Sequence, residues 1–574
     1  MDLRTIKNYE SWLTDSFFDE DTRRELVEIK GDIKEIEDRF YKDLEFGTGG
    51  IRGVIGAGTN RMNKYTVGRA TQGLANYITK KGMEARERGV VIAYDSRHMS
   101  REFSEEAALI LAANGIKTYL YENLRSTPQL SFSIRYLRAT AGIVVTASHN
   151  PPEYNGYKVY WEDGAQITSE AAEGIIEEIN RIYDLRDIIK LNTQEAKDQG
   201  LLKIIGKEMD DAFIEAVKGK SLRGEIIQEV AEDFKIVYTP LHGTGNLPVR
   251  RVLSEVGFEN VIVVPQQELP DPEFSTVGYP NPEDPKAFAL AIELAEREGA
   301  QIIIGTDPDC DRVGVVVRNP EGKYVPLTGN QVGALLVDYL LSTHKERNTL
   351  PDNGVIIKTI VTSEMGSTIA DYYGIKSLNT LTGFKYIGEK IKEFEETGEY
   401  KFIFGYEESY GYLAGTHARD KDAVVTSMLI CEMAAYYHRL GKTLYQGLLS
   451  LYDQYGYFVE SLISITLKGK EGMDKMKKTL ASLRNNPPKE IAGMKIIALE
   501  DYLGQKRIFT NGNQEEVLLP KADVIKFFVE DGWIALRPSG TEPKLKLYGG
   551  VRGNSLEGAQ ETLHKLLDSV KELL

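Results

Sequence analysis

Three aspartates alternate in Gly305-Thr-Asp307-Pro-Asp309-Cys310-Asp311-Arg312, a spacing that lets three carboxylates converge on one hard cation. Without a cation their mutual repulsion would be costly, so metal binding is the favoured chemistry. An EF-hand also opens D-x-D-x-D, but it needs Gly at its sixth and Glu at its twelfth position. This chain has Arg312 and Arg318 there, so calcium by that route is rejected. A phosphatase of the haloacid-dehalogenase type, with the first Asp as nucleophile, stays in competition.

A second segment, Thr146-Ala-Ser148-His149-Asn150-Pro-Pro-Glu-Tyr-Asn155-Gly156-Tyr-Lys158, sets a serine beside an imidazole and predicts an open turn with the hydroxyl exposed. For Ser-His alone a polar turn with a helix cap is the simpler reading, and the GxSxG elbow of serine hydrolases is absent. In Gly405-Tyr-Glu407-Glu408-Ser409-Tyr-Gly411 a carboxylate and a hydroxyl could read neighbouring sugar hydroxyls. Upstream, Thr382-Gly383-Phe384-Lys385 adds a turn with a cation. By themselves both of these are weak, and a solvated turn explains them as well. Finally, Arg537-Pro-Ser539-Gly540-Thr541-Glu542-Pro-Lys544 follows the apolar run WIALR. There Gly lets successive N–H groups face one anion, two hydroxyls add donors and Arg537 supplies a bidentate cation, so phosphate binding ranks ahead of a capped tight turn. No GxxxxGK[ST] segment occurs, and a P-loop nucleotide site is unsupported.

The elements that must hold these segments repeat one plan three times. A short β-branched run opens each copy and a second run ends in one of the loops above. The pairs are 90 to 94 with 142 to 150, 234 to 238 with 301 to 309, and 354 to 358 with 401 to 409. Apolar runs this short, separated by amphipathic helical stretches, indicate buried parallel strands in α/β units, whose ligands gather beyond the strand carboxyl ends. The expected fold is therefore α/β. It has three related domains with mixed, largely parallel sheets (43–205, 206–322 and 323–455), preceded by a helical extension over 1–42 and followed by a smaller α+β domain over 456–574.

At 574 residues three or four domains are expected. A formal charge of -16 would repel nucleic acid and anionic membrane, so any phosphate site must be a local concentration of cations. There is no apolar leader or long apolar span and only two cysteines, Cys310 and Cys431; the chain is expected to be cytoplasmic and free of disulfides.

Together TASHNP, DPDCD, GYEESYG and RPSGTEPK, in this order, resemble the α-D-phosphohexomutase superfamily, and LEFGTGGIRGVIGAGTNRMN over 44–63 looks like the start of its longer phosphoglucomutase/phosphomannomutase branch. The resemblance covers nearly the whole chain. It implies four domains around a central cleft and a phosphoserine enzyme that interconverts glucose 1-phosphate and glucose 6-phosphate through glucose 1,6-bisphosphate; since such chemistry must keep water from the phosphoryl group, the last domain is expected to be hinged and to close the cleft. By position, Ser148 resembles the phosphorylated serine. Asp307, Asp309 and Asp311, with a Ser148 phosphate oxygen, match the ligands of one Mg2+ per chain. Arg52 and Lys158 look like cations flanking the reacting phosphate, with Arg312 beside the metal loop. Glu407 and Ser409 resemble hydroxyl readers, and Thr382, Gly383 and Lys385 the loop that senses sugar orientation. Arg537, Ser539, Gly540, Thr541 and Lys544 match the seat of the phosphate that is not reacting. Lys158 and His149 are both candidate bases. Phosphomannomutase and phosphopentomutase activity are alternatives, and an Asp-nucleophile phosphatase or a non-catalytic sugar-phosphate sensor are more distant ones; oligomeric state stays open. Cys310 departs from the small residue of many relatives; a packing role is favoured over chemistry, with some sensitivity to thiol oxidants or soft metals expected.

Overall fold

The computed structural model describes residues 2–47, 49–466, 469–538 and 544–573. The chain forms two compact units. One comprises Met1–Leu327, Ile387–Gly398 and Tyr410–Thr443; the other comprises Thr328–Tyr386, Glu399–Ser409 and Leu444–Leu574.

The first unit begins with the expected helices, Leu3–Thr14, Glu20–Glu28 and Ile33–Phe40. Each is started by an aspartate (Asp2, Asp19, Asp32) whose side chain accepts a backbone N–H of the first turn. Their apolar stripes bury Tyr9, Trp12, Leu26, Ile36 and Phe40 together with Tyr65. Next comes a six-stranded sheet built from β1 (Gly50–Val54), β2 (Val90–Tyr94), β3 (Thr118–Tyr121), β4 (Ala141–Val145), β5 (Tyr154–Trp161) and β6 (Leu202–Ile205). Its order is β1-β5-β4-β2-β3-β6. Strands β4, β2, β3 and β6 run parallel, while β5 runs against both of its neighbours. The unbroken apolar run VVIAY of β2 follows from burial on both faces: Val90, Ile92 and Tyr94 join one core, Val91 and Ala93 the opposite one.

The second sheet of this unit repeats the plan with β7 (Lys235–Thr239), β8 (Asn260–Val263), β9 (Ile302–Thr306), β10 (Val313–Arg318) and β11 (Tyr324–Leu327), in the order β11-β10-β9-β7-β8. Here β9, β7 and β8 are parallel, and β10 returns antiparallel on β9. In both sheets the strand feeding a candidate loop, β4 or β9, is thus pinned on one side by a parallel partner and on the other by the antiparallel strand into which that loop runs.

In the second unit β12 (Gly354–Thr359) pairs in parallel with β13 (Lys376–Thr380) and β14 (Lys401–Tyr406). The C-terminal segment forms an antiparallel sheet in the order Tyr457–Thr466, Lys544–Gly553, Gly532–Pro538, Ile525–Val529, Met494–Asp501, Lys506–Phe509, Gln514–Glu516. The helix Leu556–Leu573 packs Leu563, Leu566, Leu567 and Val570 against it. A three-layer α/β plan with an α+β C-terminal part is therefore present. Among the described residues no helix is long and apolar enough to cross a membrane.

Candidate active site

The loops after β4 and β9 meet in the first unit. Each turns through one left-handed residue, Ser148 at φ 53° and Cys310 at φ 54°, and Tyr410 in the third such loop has φ 65°. Only glycine adopts this conformation without strain, so the three share a backbone device that their side chains do not advertise. The expected exposed hydroxyl is corrected here: Ser148 is buried, at 4% exposure. Its Oγ points inward because it donates to Asp307 Oδ2 at 2.8 Å, while its N–H donates to Thr146 Oγ1 at 2.8 Å.

The carboxylates of Asp307, Asp309 and Asp311 are buried, and one oxygen of each lies within 4.8 Å of the others. The loop wraps around Asp307, whose Oδ1 accepts the N–H groups of Asp311 (3.1 Å) and Arg312 (3.0 Å). Asp309 Oδ2 accepts from Thr127 Oγ1 at 3.1 Å and Lys158 Nζ at 2.8 Å, and Lys421 Nζ stands 3.2 Å from Asp311 Oδ2. Asp309 Oδ1 and Asp311 Oδ1 are buried without a hydrogen-bond partner. Two orphaned anionic oxygens beside a third carboxylate are a donor set suited to a hard divalent cation. Burial, then the charges of Asp309 and Asp311, push the Asp307 carboxyl well above the ordinary range. Burial acts the same way on Asp309, but Lys158, a hydrogen bond with Asp307 and the charge of Lys421 together outweigh it and hold that carboxyl below its ordinary range. A bound cation would take over the compensation that a proton on Asp307 otherwise supplies.

Cations surround this triad. Arg52 is exposed on β1 and reaches Asn150 Oδ1 at 3.3 Å. It can do so because Gly50 lets β1 lie close to β5: at φ 136°, an added Cβ would sit 1.9 Å from Tyr157 O. Arg312 is paired with Glu283. The imidazole of His149 lies with Nδ1 3.2 Å from Ser148 Oγ; burial and then the charges of Arg312 and Arg52 hold it well below its ordinary pKa, so it is neutral. The first unit thus brings together Ser148, His149, Lys158, Arg52, Arg312 and the three aspartates.

In the second unit Glu407 Oε1 accepts the N–H of Gly383 at 2.9 Å, and Arg537 Nη1 donates to Thr382 Oγ1 at 2.8 Å. Lys385 lies in the first turn of the helix Phe384–Thr397, Ser409 is half-buried, and Lys544 opens the strand Lys544–Gly553. Glu408, by contrast, is engaged by Thr359 and Thr362 at 3.1 and 3.2 Å. Ser539, Gly540 and Thr541 lie outside the described residues.

Several residues near the site escape sequence reasoning. Buried Arg97 donates from Nη1 to the carbonyls of Pro151 (2.8 Å) and Tyr154 (3.2 Å) and from Nη2 to those of Ser148 (2.5 Å) and Asn150; its Nε lies 3.3 Å from Asp95 Oδ2. The guanidinium stacks over Phe274, 4.9 Å from the ring centroid. Its available signal was Asp95-Ser-Arg97 directly after wholly apolar β2, the same strand-end placement that marks the other loops. Thr244 grips the carbonyl of Pro308 with its N–H at 2.8 Å and its hydroxyl at 2.9 Å. Lys421, held by Asp420 at 2.9 Å, was signalled by its place between two aspartates. Cys310 is fully buried, which fits a packing role, and burial with the charge of Asp307 pushes the thiol well above its ordinary pKa, which disfavours the thiolate.

Sequence profiles for phosphoglucomutase/phosphomannomutase match this chain in order: alpha/beta/alpha domain I over 43–186, domain II over 211–322, domain III over 328–455, and the C-terminal domain over 485–564. The chain belongs to the phosphoglucomutase/phosphomannomutase family and is an enzyme of the isomerase class. It is similar to the phosphoglucomutase of Staphylococcus haemolyticus, 40% identical over 92% of this chain and 94% of the relative. With that of Staphylococcus aureus it is 38% identical over 95% and 96%. In fold it resembles the open form of the phosphoglucomutase parafusin from Paramecium, at TM-score 0.68 and 18% identity over 93% of this chain and 94% of the other. A phosphoglucomutase/phosphomannomutase family protein of Burkholderia thailandensis gives 0.66 and 19% over 92% and 96%.

Proposed function

We propose that this enzyme interconverts glucose 1-phosphate and glucose 6-phosphate through a phosphorylated Ser148 and a glucose 1,6-bisphosphate intermediate. The observation that carries the reading is Ser148 Oγ, 2.8 Å from Asp307 inside a buried aspartate triad that has two unpartnered oxygens. Mg2+ held by Asp307, Asp309, Asp311 and a seryl-phosphate oxygen would supply charge neutralisation during in-line displacement.

The bond from phosphorus to Ser148 Oγ breaks as the bond to the sugar hydroxyl forms. The proton of that hydroxyl passes to a base and is returned to Ser148 Oγ. Neutral His149, 3.2 Å from Oγ, can receive it as it stands; Lys158, ion-paired to Asp309, can do so only as the free amine. Arg52, Lys158 and Arg312 offset the charge of the phosphoryl oxygens. The bisphosphate then turns end for end and its other phosphate returns to Ser148. In the second unit Glu407 and Ser409 take sugar hydroxyls, Thr382, Gly383 and Lys385 sense the orientation of the sugar, and Arg537, Ser539, Gly540, Thr541 and Lys544 hold the idle phosphate.

Comparing kcat/KM for glucose 1-phosphate, mannose 1-phosphate and ribose 1-phosphate, each with its bisphosphate and magnesium, tests the assignment. Glucose is expected to rank first; a higher value for mannose or ribose overturns the choice of sugar while leaving the mutase chemistry intact.

A further inference from the structure

Beside the aspartate loop the first unit holds a cavity of about 480 Å³, whose lining includes none of the reacting groups. Leu124, Ile214, Leu247, Pro248, Leu269 and Pro270 form the apolar part of its wall. Leu247 and Leu269 are 69% and 71% exposed, an unusual position for two leucines facing the same opening. Its ionisable lining is Arg125, Asp210 and Arg251. Arg125 and Asp210 cancel in a two-pronged pair at 2.7 Å, with Gln129 also donating to Asp210 at 2.9 Å. Arg251 is ion-paired through Nη2 with Asp211 (2.8 Å) and through Nε with Glu255 (2.7 Å), carboxylates that Lys207 and Lys218 also neutralise, so the guanidinium keeps its Nη1 edge outside these pairs. An apolar cavity of this size with one charged anchor is built to the pattern of a small-molecule site.

Both of its walls continue into the grips on the aspartate loop. On one side, Leu124 and Arg125 lead into Ser126, which is locked to pocket-lining Gln129 by a capping box, and then into Thr127, whose N–H and Oγ1 hold the carbonyl (2.9 Å) and carboxylate (3.1 Å) of Asp309. On the other, pocket-lining Thr244 holds Pro308 O, and Gly243 lies so close that an added Cβ would be 2.5 Å from Pro308 Cα. These hydrogen bonds tie both walls to Pro308 and Asp309.

We propose that this cavity is an effector site for a small amphipathic monoanion, an apolar or aromatic body bearing one carboxylate or sulfonate, and that its occupancy changes the cation affinity of the aspartate loop. The coupling rests on the reading of that loop as a metal site; the binding does not. The test uses 8-anilinonaphthalene-1-sulfonate as the probe on the full chain. Its fluorescence should saturate at one molecule per chain, and Leu269→Glu and Arg251→Gln should each weaken binding about tenfold or more, since one adds a like charge at the rim and the other removes the anchor. The control Leu518→Glu, at another exposed leucine, should leave it unchanged. Calorimetric titration of magnesium alone should then show its affinity shifted about fivefold or more by saturating probe, and the probe's affinity shifted by the same factor by magnesium. Unsaturable fluorescence, or binding indifferent to both pocket variants, overturns the site. Magnesium that binds with unchanged affinity overturns the coupling alone, whereas no magnesium binding at all overturns the metal reading and the coupling with it.

Discussion

Arg97 touches none of the groups proposed to react, yet one guanidinium holds four carbonyl oxygens of the serine loop while Asp95 holds it in turn. A lysine offers a point charge and cannot span them, so Arg97→Lys should lower kcat by about 10- to 100-fold through displacement of Ser148, with KM little changed. Steady-state kinetics decides it: an unaltered kcat means the bracket is dispensable. The same residue marks what was legible at this scale. The three aspartates could be picked out because few uses suit their spacing, and Ser148 through the resemblance that TASHNP carries together with the other motifs. Arg97 could not, because its partners are main-chain carbonyls more than fifty residues away in sequence, which side-chain identity does not encode. Exposure of Ser148 was misjudged for a related reason: the partner that turns its hydroxyl inward lies 159 residues further on.

Strands and turns carry their own demands. Gly156 sits in β5 between β1 and β4, where an added Cβ would be 2.6 Å from Thr146 O and 3.1 Å from Ile51 O, with backbone on both sides. Gly156→Ala should therefore destabilise the fold by about 1–3 kcal/mol and weaken magnesium binding as the serine loop shifts; a denaturation midpoint like that of the unaltered protein contradicts this. In the second unit Lys526 is buried on the strand Ile525–Val529, with Nζ 2.7 Å from Ile360 O and 4.4 Å from the Trp533 ring centroid. Burial lowers its pKa to about 8, only partly opposed by Glu364. Between pH 8 and the unfolded lysine value the unfolded chain binds the extra proton, so stability is lost as pH falls through that window and the cost is fully present at pH 7, about 3 kcal/mol. Lys526→Met is thus expected to raise stability at pH 7 by roughly 1–3 kcal/mol, with the gain shrinking from pH 8 toward 10. Chemical denaturation at the two pH values checks it, and a destabilised variant at pH 7 would refute it. The parallel strands themselves were readable because burial on both faces leaves unbroken apolar runs such as VVIAY and the VII of β12. A buried lysine inside VIKFFV breaks that pattern, and its reason, a packing partner after β12, is visible only in three dimensions.

For the molecule as a whole, a chain of formal charge -16 gathers Arg52, Arg97, Lys158, Arg312 and Lys421 around one buried acidic triad. That concentration was anticipated from net charge alone, since an anionic substrate needs a local excess of cations. The repeated strand–loop plan was likewise apparent, whereas the left-handed residue recurring in each loop was not, because it falls on Ser, Cys and Tyr and not on Gly. All of this converges on a seryl phosphate at position 148. The most direct measurement is mass spectrometry of the protein after incubation with glucose 1,6-bisphosphate and magnesium, run beside Ser148→Ala. One acid-stable phosphate on the peptide containing Ser148, absent from a variant that has lost turnover, is the predicted result. An acid-labile phosphate on Asp307, or a Ser148→Ala enzyme that still turns over, would contradict it.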